Sequence, residues 1–203
     1  MKNNPQDYGY IPFYNEYSEL PHKFSAKKNS IMLARFNSPF GALLAGATAI
    51  GLCLLEYIDT TRIALQLSRL KKSHGGDIIN ANSHYFRLLE QQLNAYFAAE
   101  LSEFSIPLDI HGTAFQRQVW AALQTIPYGE TRCYQQQAIA IGNPKAVRAV
   151  ANANRNNKIS IIIPCHRVIG KNGNMTGYGG GIWRKEYLLN LEKMRRLRTI
   201  TIK

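Results

Sequence analysis

Cys165-His166-Arg167 is the part of this 203-residue chain best equipped for chemistry. A thiol becomes a strong nucleophile as its thiolate, and a neighbouring imidazole or cation is the usual means of stabilising that form. Read alone, the segment fits two descriptions, an activated nucleophile or a buried structural cysteine. Neighbours in an extended segment point to opposite sides, so Cys165 and His166 would communicate best through a bridging water. The preceding run ISIII, residues 159–163, is β-branched and apolar and predicts a buried strand that delivers the cysteine to a fixed place. Cys53 and Cys133 are remote in sequence, and an odd, scattered set of three is no disulfide framework, which places the chain in a reducing, cytoplasmic setting. The five histidines show neither CxxC nor HExxH partner spacing, so no metal and no other cofactor is expected.

The elements that must position this segment read as an α/β (α+β) chain. A small N-terminal antiparallel sheet with a helix is followed by a mostly helical C-terminal region containing a winged-helix-like helix-turn-helix. Residues 1–30 are tyrosine-rich, polar and aperiodic, and read as an extension. From Ile31 to Ile58, apolar runs broken at Ser38-Pro39, Gly46 and Gly51 predict short antiparallel strands. Tyr85, Leu89, Leu93 and Tyr96, with Phe86 and Phe97 beside them, predict a helix over about 83–99. The segment LSEFSIPLDIHG reads as a connector, which divides the body into a domain over 31–105 and another over 106–203. Thr113 and Gln116 form a capping-box pattern ahead of a helix over about 114–125, with Phe115, Val119, Trp120 and Leu123 as its apolar stripe. Beyond the Pro127-Tyr128-Gly129 turn, a helix near 135–140, a Gly142-Asn143-Pro144 break and a helix near 145–154 form the helix-turn-helix. The alanines of KAVRAVANANR leave the second helix slim, with Arg148 and Arg155 on it. Such a surface fits entry into a nucleic-acid groove and ordinary close helix packing equally well.

Charge is unevenly spread. The first 100 residues carry 10 basic and 8 acidic side chains, the rest 15 and 5, so the excess sits almost wholly with the helix-turn-helix and Cys165. A localised positive surface attracts polyanions. The N-terminus lacks the apolar stretch of a secretion signal. The uncharged run from Phe36 to Leu55 is interrupted by Asn37, Ser38, Pro39, three glycines and Thr48, which favours strands over a membrane span.

Taken together, IPCHRVIG (163–170), YQQQAIAIGNPKAVRAV (134–150) and TGYGGGIWRKEYLLNLE (176–192) resemble the O6-alkylguanine-DNA alkyltransferases, closely over about 113–192 and more loosely from 31. The resemblance implies a ribonuclease H-like fold for the domain over 31–105. It also implies single-turnover, irreversible transfer of a methyl or larger alkyl group from O6-alkylguanine in double-stranded DNA, with O4-alkylthymine as a further substrate, to Cys165. In that assignment His166 is the water-mediated base, Glu192 orients it, Asn157 braces the turn, and Tyr134 contacts the flipped base. Arg148 is the finger that fills the gap left by the extruded guanine, with the recognition helix in the minor groove. Gln135, Ala146, Ala149, Arg155 and Lys171 join Tyr134 and Arg148 at the DNA. The Val168 carbonyl, Tyr178 and the Gly179 amide line the base pocket with Cys165. The chain is expected to act as a monomer, without a membrane, metal or cofactor.

The chemistry asks for the same parts. An O6-alkyl group stacked inside a duplex is out of reach of in-line attack, so the nucleotide must be flipped out. Displacement then needs a thiolate behind the alkyl carbon and a proton donor for the leaving guanine, for which Tyr134 is the candidate. Departures from the pattern are Gly179 where some relatives have serine, bulky Trp183 beside the pocket, and Gln137 in place of a more usual leucine. Cys53 also lacks the ligand set of the structural zinc some relatives hold. The rival readings are a lesion-binding protein that flags damage for another pathway, a cysteine hydrolase that turns over, and a transcription factor in which Cys165 is dispensable.

Overall fold

The computed structural model describes residues 14–15 and 30–201, so all but Tyr14, Asn15 and Ser30 of the extension read at residues 1–30 lies outside the described residues. The chain divides into two compact units, residues 1–109 and 110–203.

In the first unit, β1 (Tyr14–Asn15), β2 (Ile31–Asn37), β3 (Leu43–Ala47) and β4 (Leu52–Tyr57) pair in that order as an antiparallel meander. Helix α1 (Ile63–His74) then leads to β5 (Ile78–Asn80), which runs parallel to the first half of β2. The sheet is therefore mixed rather than purely antiparallel. A three-residue strand is too short to show a period, and its parallel sense follows from the crossover through α1. That crossover turns at Gly75, which closes α1 at φ +66° and donates its amide to Lys71 O at 3.0 Å. Leu33, Cys53, Leu54 and Leu70 bury one face of the sheet against α1. On α2 (His84–Phe97), Phe86, Leu89, Leu93 and Tyr96 are fully buried, and Phe86 meets Phe36 edge-on with centroids 5.7 Å apart. The aromatic spacing thus marked a core face. Gly51 is required where residues 107–109 lie along β4, because a Cβ there would sit 2.5 Å from Pro107 O. Among the described residues no helix is long and apolar enough to cross a membrane, and the Phe36–Leu55 run is spent on β2, β3 and β4.

The second unit opens with α3 (Ala114–Gln124). The capping box is formed: Gln116 N donates to Thr113 Oγ1 at 3.2 Å and Thr113 N to Gln116 Oε1 at 3.0 Å. Strand β6 (Arg132–Cys133) leads directly into α4 (Tyr134–Ala140), and α5 (Val147–Arg155) follows the glycine turn as the second helix of the pair. A 3-10 turn (Cys165–Arg167) precedes β7 (Val168–Ile169), which pairs parallel to β6, and the long α6 (Ile182–Thr201) closes the unit.

Four buried hydrogen bonds fix the helix-turn-helix. Trp120 Nε1 donates to Ala153 O at 2.9 Å, joining α3 to α5. Gln137 and Asn154 exchange carboxamide bonds at 3.2 and 2.7 Å, and Gln137 Nε2 also donates to Val119 O at 3.2 Å. Gln137 is fully buried, so a polar side chain in this core position is matched by a polar partner on α5.

Residues 159–163 differ from the strand expected of them. Ile159, Ile161, Ile162 and Ile163 are buried but form a compact turn, with Ile162 N donating to Ser160 O at 2.9 Å and Ile163 N to Ile159 O at 3.1 Å. Ile161 takes φ +72°, a left-handed conformation that β-branched residues avoid. The apolar run signalled burial correctly, but its backbone groups are satisfied within the turn rather than by a neighbouring strand. Cys165 and His166 consequently lie in a 3-10 turn, not in an extended segment.

Candidate active site

The reactive segment is held from three sides. Asn157 lies just beyond α5, and its Nδ2 donates to Ile163 O at 2.8 Å and to Cys165 Sγ at 3.3 Å, while Ile159 N donates to its Oδ1 at 3.0 Å. One buried carboxamide thus folds the turn and points a donor at the sulfur, where negative charge must be stabilised.

From behind, α6 supplies Glu192, fully buried. Its carboxylate accepts His166 Nε2 at 2.9 Å, Arg167 Nε at 2.9 Å and Nη2 at 3.0 Å, and Gly129 N at 3.0 Å. Arg167 is anchored further by Nη1 to Ile126 O at 2.7 Å. Burial works against the Glu192 charge, but His166 and Arg167 outweigh it and hold the carboxyl well below the usual carboxylate range. Burial pushes His166 below its ordinary value, and the opposing pull of Glu192 does not offset it. A neutral imidazole whose Nε2–H is committed to Glu192 has its lone pair on Nδ1. That nitrogen is buried and has no hydrogen-bond partner among the described residues, so it is free to accept a proton.

The third side is the loop between β7 and α6. Lys185, fully buried in the first turns of α6, donates from Nζ to Val168 O at 2.5 Å and to Thr176 O at 2.7 Å, tying β7 to the start of the glycine segment. Burial lowers its ammonium to about 8, with Cys165 as an opposing, stabilising charge. Burial likewise raises the Tyr134 phenol above 10.0, with a hydrogen bond to Thr176 pulling the other way and the Cys165 charge adding to the rise. Tyr134 is therefore a protonated phenol in the same electrostatic neighbourhood as the sulfur. Gly177 and Gly181 take φ +38° and +93°, and a Cβ on Gly177 would sit 4.0 Å from the Tyr134 hydroxyl. Tyr178 places its ring edge-on to His166 at 6.4 Å.

Of the residues expected at the reacting centre, Cys165, His166, Glu192, Asn157, Tyr134, Val168 and Tyr178 come together here, and Gly179 lies on the same loop, half-buried. Arg148, Ala149 and Arg155 are exposed on α5, and Ala146 is half-buried at its start. Gln135 is exposed and donates from Nε2 to Pro144 O at 3.0 Å, bracing the turn between α4 and α5. Lys171 is exposed in the loop after β7. Lys185 is a member of the site that no motif in the sequence marks. Its sole signal was position, a lysine among apolar residues of the amphipathic pattern that ends at Glu192. Arg167, by adjacency a candidate cation for the Cys165 thiolate, instead turns its guanidinium to Glu192.

Known proteins resemble this chain in both of its units. A family model described as 6-O-methylguanine DNA methyltransferase, DNA binding domain, matches residues 114–194, and one described as the ribonuclease-like domain of the same protein matches residues 31–110. The methylated-DNA–protein-cysteine methyltransferase of Methanosarcina acetivorans is 48% identical over 159 residues, 78% of this chain and 96% of the relative. That of Mycobacterium tuberculosis is 61% identical over 111 residues, 55% of this chain and 67% of the relative. Among solved structures, M. tuberculosis O6-methylguanine methyltransferase superposes with TM-score 0.68 at 45% identity, covering 82% of this chain and 93% of that one. The same organism's protein in complex with DNA also gives 0.68, over 82% and 94%. Matched over most of its length by these relatives and in both units by the family models, the chain belongs to the methylated-DNA–protein-cysteine methyltransferase family.

Proposed function

We propose that this protein repairs alkylated DNA by moving the alkyl group from the O6 atom of guanine onto Cys165 Sγ, once per molecule and as a monomer. O4-alkylthymine is the lesser substrate. The observation that carries this reading is the line Glu192, then His166 with an unpartnered Nδ1, in the same turn as a sulfur to which Asn157 donates.

The thiol proton passes through a bridging water to His166 Nδ1, and Glu192 holds the resulting imidazolium through Nε2–H. The thiolate displaces the alkyl carbon in line, so the S–C bond forms as the C–O6 bond breaks. Tyr134 donates its phenolic proton to the leaving guanine and is reprotonated from the His166 side, so the proton lost by the thiol ends on the base. The Val168 carbonyl and Gly179 amide read the guanine edge, and Tyr178 walls the pocket. Helix α5 enters the minor groove on its alanine-rich face, with Arg148 replacing the flipped nucleotide and Gln135, Ala146, Ala149, Arg155 and Lys171 along the duplex. The product is a thioether that no neighbouring group is equipped to cleave, which makes the reaction stoichiometric.

Intact mass and peptide mapping after incubation with a duplex holding one O6-methylguanine test the proposal. It requires one methyl on Cys165 and guanine restored in the DNA. An unmodified protein that still retards the lesion-bearing duplex would replace it with the lesion-binding reading.

A further inference from the structure

The exposed face of α5 carries one residue that neither the finger nor the alanine surface accounts for. Asn152 is exposed one helical turn beyond Arg148 and three residues before Arg155. At 100° per residue it lies between Arg148 and Ala149 around the helix, near the middle of the face that the buried Val150, Ala153 and Asn154 leave outward. Its carboxamide is also oriented. Asn156 Nδ2 donates to Asn152 O at 2.8 Å and to Asn152 Oδ1 at 3.3 Å. With the oxygen engaged by Asn156, the exposed amide is left with its NH2 group, a donor with no acceptor among the described residues.

The chemistry of the minor groove gives such a donor something to distinguish. A·T pairs offer only acceptors there, adenine N3 and thymine O2, whereas G·C pairs add the guanine N2 amino group, which faces a donor with another donor. We propose that Asn152 reads the base pairs beside the lesion through the minor groove, so that this protein repairs O6-alkylguanine faster next to A·T than next to G·C. Asn156 is the positioning residue that fixes the polarity of the carboxamide. The inference rests on the placement of α5 in the minor groove given above.

The test measures single-turnover repair of duplexes with one O6-methylguanine, in which the flanking pairs are A·T, G·C or inosine·C. Inosine lacks the N2 amino group and keeps the major-groove edge of guanine. One hydrogen bond gained in A·T and opposed in G·C corresponds to a rate ratio of about three- to tenfold. The expected result is that inosine·C behaves like A·T, that Asn152→Ala brings the ratio of A·T to G·C close to one, and that Asn152→Asp inverts it. A ratio that persists in Asn152→Ala, or inosine·C behaving like G·C, overturns the assignment. A dependence on cytosine 5-methylation with none on inosine would place α5 in the major groove, refuting the groove assignment and this inference together. Absence of methyl transfer from every duplex would refute the repair reaction itself.

Discussion

Replacing Glu192 with glutamine changes shape little and charge completely, which makes it the sharpest probe of the buried relay. At least four donors converge on the two Glu192 oxygens, two of them from a guanidinium that is itself 7% exposed. A carboxamide keeps one acceptor oxygen and turns an NH2 group toward the remaining donors, leaving the Arg167 charge buried without its anion. Breaking a buried pair in this way costs about 3–5 kcal/mol. The cost should depend on pH. Glu192 titrates well below its ordinary 4.5 in the folded protein, so its contribution is fully present above about 4.5 and is lost as pH falls toward the folded value. In Glu192→Gln that acid-dependent component should be missing. Urea denaturation at pH 7 and at pH 4 reads both effects, and single-turnover methyl transfer reads the chemistry, where loss of the anchor behind His166 should slow the reaction by about a hundredfold. The Glu192→Gln, Arg167→Met double variant should recover much of the stability, because the stranded charge is gone, while remaining slow. A single variant within about 1 kcal/mol and threefold of the parent would refute the relay as the organising element of the site.

The pH profile of transfer carries further predictions. Because burial lowers His166, its inactivating protonation should appear below pH 6.5, and the acid limb of the rate should move when Glu192 is changed. Lys185, with a folded value of about 8 against 10.5, makes the unfolded chain the stronger proton binder between those values. Stability should therefore rise with pH across that window while the rate falls, and Lys185→Met should remove both trends and slow reaction with free O6-benzylguanine. Tyr134→Phe should cost about a hundredfold in methyl transfer if the phenol is the proton donor, and an unchanged rate would return that role to solvent. Gln137→Leu should destabilise by about 1–3 kcal/mol through the stranded Asn154 amide and Val119 carbonyl, and a paired Asn154→Leu should recover part of that loss in thermal unfolding.

What could be read from the sequence, and what could not, follows the range of the interactions involved. The capping box at Thr113 and Gln116, the helix of the Tyr85–Tyr96 stripe and the two helices around Gly142-Asn143-Pro144 are set by contacts within a few residues, and they stand where local pattern put them. Strand β5 is three residues long and gains its identity from β2, more than 40 positions earlier, so no window centred on it could have shown it. The 159–163 run was misread for a related reason. Four isoleucines in five residues, with Ser160 between the first two, demand burial, but burial alone does not choose between a ladder and a turn. The choice falls to Asn157, whose carboxamide supplies the bonds that a neighbouring strand otherwise would. The same carboxamide reaches Cys165 Sγ, so the feature that defeats the strand reading also aims the nucleophile. Lys185 was hidden because an amphipathic pattern assigns lysine to solvent. Here its charge is compensated by the Val168 carbonyl of β7, the Thr176 carbonyl of the following loop and the Cys165 sulfur, none of them near it in sequence. Residue types located the reacting centre, while the folded chain alone decided which charges surround it.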